Sequence, residues 1–195
     1  MVVKVKLIPY AETKPWILEH HYAKRMPSVS WAFGLFVNDK LEGVVTYGKP
    51  VSPYLCTGIC GAEHKAKVYE LSRLCINSTA PKNSASMLVG RSLKLLPKDL
   101  IIVSYADTGQ GHVGYVYQAT NWIFTGTTKK RTDIDPGKGK HPRHYKQADR
   151  KNRKIRWPKH RYVYFRDKKR MLKNLNYPIL PYPKGDSKRY KCDDT

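Results

Sequence analysis

Lys67-Val68-Tyr69-Glu70-Leu71-Ser72-Arg73-Leu74-Cys75-Ile76 and Leu100-Ile101-Ile102-Val103-Ser104-Tyr105-Ala106 decide the fold, with the segment that lies between them. The first run has strand composition. The second is a continuous apolar strand of the kind buried on both faces. Asn77-Ser78-Thr79-Ala80-Pro81-Lys82-Asn83-Ser84 separates the first strand from a helix and is built of capping and breaker residues. In residues 85–96, Ala85, Leu88, Val89, Leu93 and Leu96 share one face at helical spacing. A strand, a polar loop, an amphipathic helix and a buried strand predict a mixed sheet with a helix against it.

Working outward, residues 2–7 alternate as a strand, and residues 11–25 read as a helix with Pro15 in its first turn. Residues 30–37 and 41–47 are β-rich runs around Asn38-Asp39-Lys40, a hairpin composition. Residues 48–66, with Pro50, Pro53, Gly58 and Gly61, read as an excursion loop. Beyond the buried strand come a short helix in 111–120, a strand at 122–127, and a last strand in Arg161-Tyr162-Val163-Tyr164-Phe165-Arg166. Residues 177–183 are proline-restricted and extended, packed along the surface. The expected fold is α/β (α+β), a mixed sheet flanked by helices, in a single domain spanning 1–195. Residues 129–160 form a basic arm inserted before the last strand.

The net charge is +22 over 195 residues, and it is unevenly placed. Residues 129–195 hold 23 Lys and Arg against 7 acids, while residues 1–128 hold 14 against 8. Such a stripe attracts polyanions through counterion release, and nucleic acid is the commonest of these; an anionic membrane surface or a solvated face is the alternative. No run of about 18 apolar residues exists to span a membrane. The first ten residues alternate where a signal peptide would be apolar, so a cytoplasmic protein is expected. Cys56, Cys60 and His64 offer half of a zinc pattern; Cys75 lies in an apolar run as a buried thiol, and Cys192 stands alone.

Three places have the residues for chemistry. The 77–86 loop feeds a helix, which aims backbone N–H groups and a positive dipole at one spot suited to a pyrophosphate, although its spacing matches neither a dinucleotide fingerprint nor a P-loop. An ordinary N-cap at Asn83 or Ser84 is the other reading. Asp107 ends the buried strand, where open α/β sheets place ligands, or it caps the helix after it. Glu19-His20-His21-Tyr22 lies on or just after the first helix. His21, Tyr22, Asp107 and Tyr117 would together make a nitrogen and oxygen ligand set suited to non-haem iron.

At these residues the chain resembles the phage Mom DNA-modification proteins. The resemblance runs through Tyr69-Glu70-Leu71-Ser72-Arg73-Leu74, Pro81-Lys82-Asn83-Ser84-Ala85-Ser86, Ser104-Tyr105-Ala106-Asp107-Thr108-Gly109-Gln110-Gly111-His112, and Val116-Tyr117-Gln118-Ala119-Thr120-Asn121-Trp122. It covers residues 15–128 and, more loosely, 161–166. It implies a fold like that of the Gcn5-related N-acetyltransferases, with the 77–86 loop as counterpart of their coenzyme A pyrophosphate loop, here without the usual glycine.

The resemblance further implies addition of a methylcarbamoyl-type group to N6 of adenine in double-stranded DNA, shielding phage DNA from host restriction. It implies iron (Fe2+) and acetyl-coenzyme A as cofactors. By position, His21, Tyr22, Asp107 and Tyr117 match the metal-linked and catalytic set, with His20 the alternative to His21. Arg73, Asn83, Ser84, Ala85 and Ser86 match the acyl-donor site, and Tyr117 has a second possible job in protonating a leaving thiolate. A base inside a duplex must be extruded before its amine can react. Lys129, Lys130, Arg131, Lys138, Lys140, Arg143, Lys146, Arg150, Lys151, Arg153, Lys154 and Arg156 would hold phosphates meanwhile, with Tyr145 and Trp157 available to stack on the displaced base. A non-catalytic nucleic-acid-binding protein on the same scaffold and a conventional N-acetyltransferase are the competing functions.

Overall fold

A computed structural model of the chain describes residues 1–137 and 145–185. Along it run β1 (Val3–Leu7), α1 (Tyr10–Pro15), β2 (Trp31–Val37), β3 (Lys40–Gly48), α2 (Pro53–Cys60), β4 (Val68–Ile76), α3 (Ser84–Leu95), β5 (Ile101–Asp107), α4 (Tyr115–Gln118), β6 (Ile123–Thr127), β7 (Arg131–Ile134), β8 (Arg153–Arg156), β9 (Lys159–Phe165) and α5 (Lys168–Met171). Seven strands form one sheet in the order β1-β2-β3-β4-β5-β9-β6, and β7 pairs with β8 in a separate ribbon. Neighbours in the main sheet are antiparallel except β4 and β5, which the α3 crossover makes parallel.

The expected mixed sheet flanked by helices is present, and β9 is the last strand, after the basic stretch. The hairpin is closed by Asn38 and Asp39, both at positive φ (48° and 64°), the two-residue turn whose twist suits a β-hairpin. One face of the sheet packs Leu88, Val89 and Leu93 of α3 against Phe33, Tyr47, Ile102 and Tyr162. The other packs Ile59 and Cys60 of α2 against Val68, Val103 and Val163. The 177–183 segment lies along β6, with the Leu180 N–H donating to the Phe124 carbonyl and the Tyr182 hydroxyl to that of Trp122. No helix among the described residues is long and apolar enough to cross a membrane.

Four expectations need correction. The first helix begins at Tyr10 and ends at His20, five residues early, and Pro15 closes its α-helical part. Proline has no N–H for the next α-helical bond, and the chain widens into a π-turn over Trp16–His20, closed by the His21 N–H on the Trp16 carbonyl. The supposed loop at 48–66 contains α2, capped by the Ser52 hydroxyl, with Pro53 at its first position. The helix expected in 111–120 covers only Tyr115–Gln118, because Gly111 and Gly114 both adopt positive φ. The basic arm is not loop throughout: Arg131–Ile134 and Arg153–Arg156 pair in register, Arg131 opposite Arg156 and Ile134 opposite Arg153.

Candidate active site at a split between two strands

The two strands that defined the fold also open the site. β4 and β5 pair only from Val68 opposite Ile101 to Glu70 opposite Val103, although β4 continues to Ile76 and β5 to Asp107. Beyond Glu70 the strands part. An extra residue, Ser72, shifts the β3–β4 register, so that Glu70 pairs with Gly48 but Arg73 with Thr46. This bulge turns Arg73 onto the same face as Glu70. Across β5 and β9, Tyr105 pairs with Arg161 and Asp107 with Lys159, on that face again.

Over this face the π-turn delivers His21 and Tyr22. Their rings stack at 4.4 Å, and Tyr22 meets His112 edge-on at 6.2 Å. The Ala23 N–H donates to His21 Nδ1 at 3.0 Å. Asp107 Oδ2 lies 2.6 Å from Lys159 Nζ, and its Oδ1 accepts the Gly109 N–H at 3.0 Å. Arg73 donates from Nε and Nη2 to the Arg25 carbonyl and from Nη1 to that of Ser72, so its charge meets dipoles and, among the described residues, no bonded carboxylate. The buried Thr46 hydroxyl, across the pairing from Arg73, has no hydrogen-bond partner among the described residues.

Burial dominates the titration here. It pulls His21 down to about 3, with Arg73, His112 and Lys159 adding charge repulsion. It pushes Glu70 above the usual carboxylate range, against the attraction of Arg73 and Lys159. Tyr22 is 45% exposed as a whole, yet enclosure of its hydroxyl and the charge of Asp107 raise its pKa.

Tyr117 sits on the opposite face, packed between Trp122 and Tyr162 at 5.0 and 5.1 Å. Ser104 Oγ lies 2.8 Å from its hydroxyl and 2.9 Å from the Leu71 carbonyl. The one Ser104 hydroxyl hydrogen is shared between the Leu71 carbonyl and the Tyr117 oxygen, both of which accept from it. This bridge ties β4 to β5 just past their last pair. On the same face α3 begins at Ser84, with Asn83 left-handed before it (φ 68°) and its side chain making no capping bond. The Ser84 and Ser86 hydroxyls turn back to the Pro81 and Asn83 carbonyls, so the turn presents the backbone N–H groups of Ala85 and Ser86.

The ribbon stands beside the acidic and basic face. Trp157 lies against Gly109, and the Thr108 N–H and hydroxyl both donate to the Pro158 carbonyl. Several expected phosphate contacts are engaged within the ribbon. Lys154 pairs with Asp135 at 2.9 Å and Arg156 with Asp133 at 3.2 Å; Arg153 donates to Thr132, and Arg131 lies 3.9 Å from Asp133. Lys130 covers the Trp157 ring at 4.5 Å. Lys129, Lys146, Arg150 and Lys151 are exposed, while Lys138, Lys140 and Arg143 lie outside the described residues.

A sequence model of the Mom protein family matches residues 2–184. The chain belongs to the Mom family. A curated relative, the methylcarbamoylase Mom of Escherichia phage Mu, is 26% identical over 185 residues, covering 84% of this chain and 76% of its own. Among solved structures, the ribosomal-protein-S5-alanine acetyltransferase of Vibrio fischeri superposes with a TM-score of 0.52 at 13% identity, over 85% of this chain and 93% of its own. An aminoglycoside acetyltransferase in complex with coenzyme A gives 0.51 at 15% identity, over 88% and 99%. At such identities these structures establish the acetyltransferase-like fold alone.

In this Mom-family chain the four residues expected to hold iron do not form one coordination sphere. His21, Tyr22 and Asp107 share a face; Tyr117 is on the other. Both Asp107 oxygens and the His21 Nδ1 lone pair are already bonded. No group of three or more His, Cys, Asp or Glu among the described residues is placed to hold a metal ion. The side chains as arranged do not fit iron. The zinc pattern is likewise not assembled, since His64 meets Asn174 and burial pushes the Cys56 and Cys60 thiols up. Arg73 lies on the face away from α3, apart from the other residues matched to the acyl donor. Sequence reasoning missed Glu70 and Lys159. Glu70 was legible as the one carboxylate of its strand; Lys159 meets Asp107 only through register, 52 positions away, and no local pattern announces it.

Proposed function

We propose that this protein is a DNA-modifying transferase that adds a methylcarbamoyl-type group to N6 of adenine in double-stranded DNA and so protects phage DNA from host restriction. The observation that carries the reading is the split between β4 and β5 in a chain of the Mom family. Ionisable side chains line one face, Tyr117 and the start of α3 the other, and the parted strands join them. A coenzyme A thioester would lie on the α3 side, its pyrophosphate on the Ala85 and Ser86 N–H groups at the positive end of the helix; acetyl-coenzyme A would supply two carbons of the group, and its nitrogen must come from a separate amine donor. The solved acetyltransferase with coenzyme A supports this through its fold.

The extruded adenine would approach from the side of Asp107 and Lys159, next to the ribbon. Glu70, enclosed and raised in pKa, would take the proton that the N6 amine must lose. Tyr117, whose oxygen accepts from Ser104, would give one on the donor side. The exposed Lys129, Lys146, Arg150 and Lys151 supply phosphate contacts on the adjoining arm.

The test is to express the protein with a plasmid, digest the DNA to nucleosides and weigh deoxyadenosine by mass spectrometry. Modified deoxyadenosine is expected, and unmodified adenine in iron-replete cells counts against the reading. Asp107→Ala and Tyr117→Phe are each expected to abolish the product with the fold retained, as read by circular dichroism. Full activity in both would remove these residues from the site.

A further inference from the structure

His21 is enclosed to 8% exposure within the cleft face, and its imidazole is held in one tautomer. A neutral ring has one N–H and one lone-pair nitrogen. Because Nδ1 accepts the Ala23 N–H at 3.0 Å, the lone pair is at Nδ1 and the hydrogen at Nε2. That Nε2–H has no hydrogen-bond partner among the described residues. The charges acting on the ring are those of Arg73, His112 and Lys159, each of which disfavours a positive imidazole.

We propose that the His21 Nε2–H is a fixed donor for the carbonyl oxygen of the transferred group, and that His21 does not bind a metal; the inference rests on the methylcarbamoyl-transfer reading. A metal ligand must present a lone pair, and the only one on this ring is already spent on Ala23. A metal cation at Nε2 would also displace a proton beside two fixed positive charges. An N–H donor with no partner among the described residues, in the positive field of Arg73 and Lys159, attracts an oxygen with partial negative charge, and a methylcarbamoyl group carries one such oxygen whichever of its atoms joins adenine. The stacked Tyr22 ring, 4.4 Å away, closes one side of the imidazole. This enclosure suits a small carbonyl better than a nucleic-acid backbone.

Ring-nitrogen NMR of protein labelled with 15N-histidine reads the tautomer without any assay of activity. The expected spectrum shows Nε2–H from mildly acidic to mildly alkaline pH. Acetamide, a small primary amide, should move the His21 Nε2 signal more than its Nδ1 signal. One equivalent of ferrous iron should leave both in place. An Nδ1–H tautomer, loss of the His21 signals on adding iron, or an Nε2 signal that acetamide does not move would each overturn the proposal.

In the plasmid assay, His21→Ala should lower modification about 100-fold, while His21→Gln, which keeps an N–H near the Nε2 position, should recover about 10-fold of that loss. Equal loss in the two variants, with both folded, would also overturn it. A wild-type protein that modifies no adenine would defeat the proposed function instead, and the acetamide spectra would still decide the role of the imidazole.

Discussion

Burial, with the added repulsion of Arg73, His112 and Lys159, holds the His21 imidazole down at about 3, against 6.5 for the free side chain. The unfolded chain therefore takes up a proton near pH 6.5 that the folded chain refuses until far lower. Stability from this source is complete above pH 6.5 and falls as the pH drops toward 3, by up to about 1.4 kcal/mol per pH unit. Urea unfolding at a series of pH values should show that acid arm flattened in His21→Gln. Glu70 has the opposite sign: its pKa is raised by burial, so its ionisation opposes folding, and stability is lost as the pH rises. Glu70→Gln should therefore raise the melting temperature at neutral pH while lowering modification about 10²- to 10⁴-fold, the range of a lost proton acceptor. A fall in both quantities together would make Glu70 a structural residue.

Among the elements, those whose pattern repeats were readable. β1 alternates, β5 opens on an unbroken apolar run, and α3 carries its apolar stripe, because each signal needs only the next few residues. α2 was missed because Gly58 and the turn-forming prolines outweighed its start signal, Ser52 before Pro53, which was legible. The π-turn has no such signature: Pro15 is tolerated both early in a helix and at an irregularity, and only the packing of Trp16 and Ile17 decides between them. The ribbon was obscured by its charges, which read as a solvated arm until Asp133 and Asp135 were seen to pair with Arg156 and Lys154. Its attachment to the site runs through Gly109, where an added Cβ would enter the space of the Trp157 ring. Gly109→Ala should shift tryptophan fluorescence and reduce modification with little change in melting temperature. Unchanged fluorescence would show that the contact does not fix the ribbon.

At the scale of the whole molecule, a net charge of +22 predicts binding that weakens steeply with salt. Only the cations outside the ion pairs of the ribbon should contribute. Lys146→Ala, Arg150→Ala and Lys151→Ala combined should lower the slope of log affinity against log salt by about 2.7, near 0.9 for each lost phosphate contact. Asp133→Ala, which frees Arg131 and Arg156, should not lower it. The site itself was only partly legible. Asp107 and Tyr117 could be picked out as residues, but their assignment to opposite faces depends on register and on the Ser72 bulge. The bulge adds one residue to a strand without changing its composition, so sequence pattern passes over it. The placement of the arm has a mechanical consequence. Arg156 ends the ribbon and Lys159 begins β9, with only Trp157 and the stiff Pro158 between them. A load borne by the ribbon therefore arrives, undamped by any slack loop, at the anchor of the ammonium group that holds Asp107. Grip and reactivity share a lever whose short arm is two residues long.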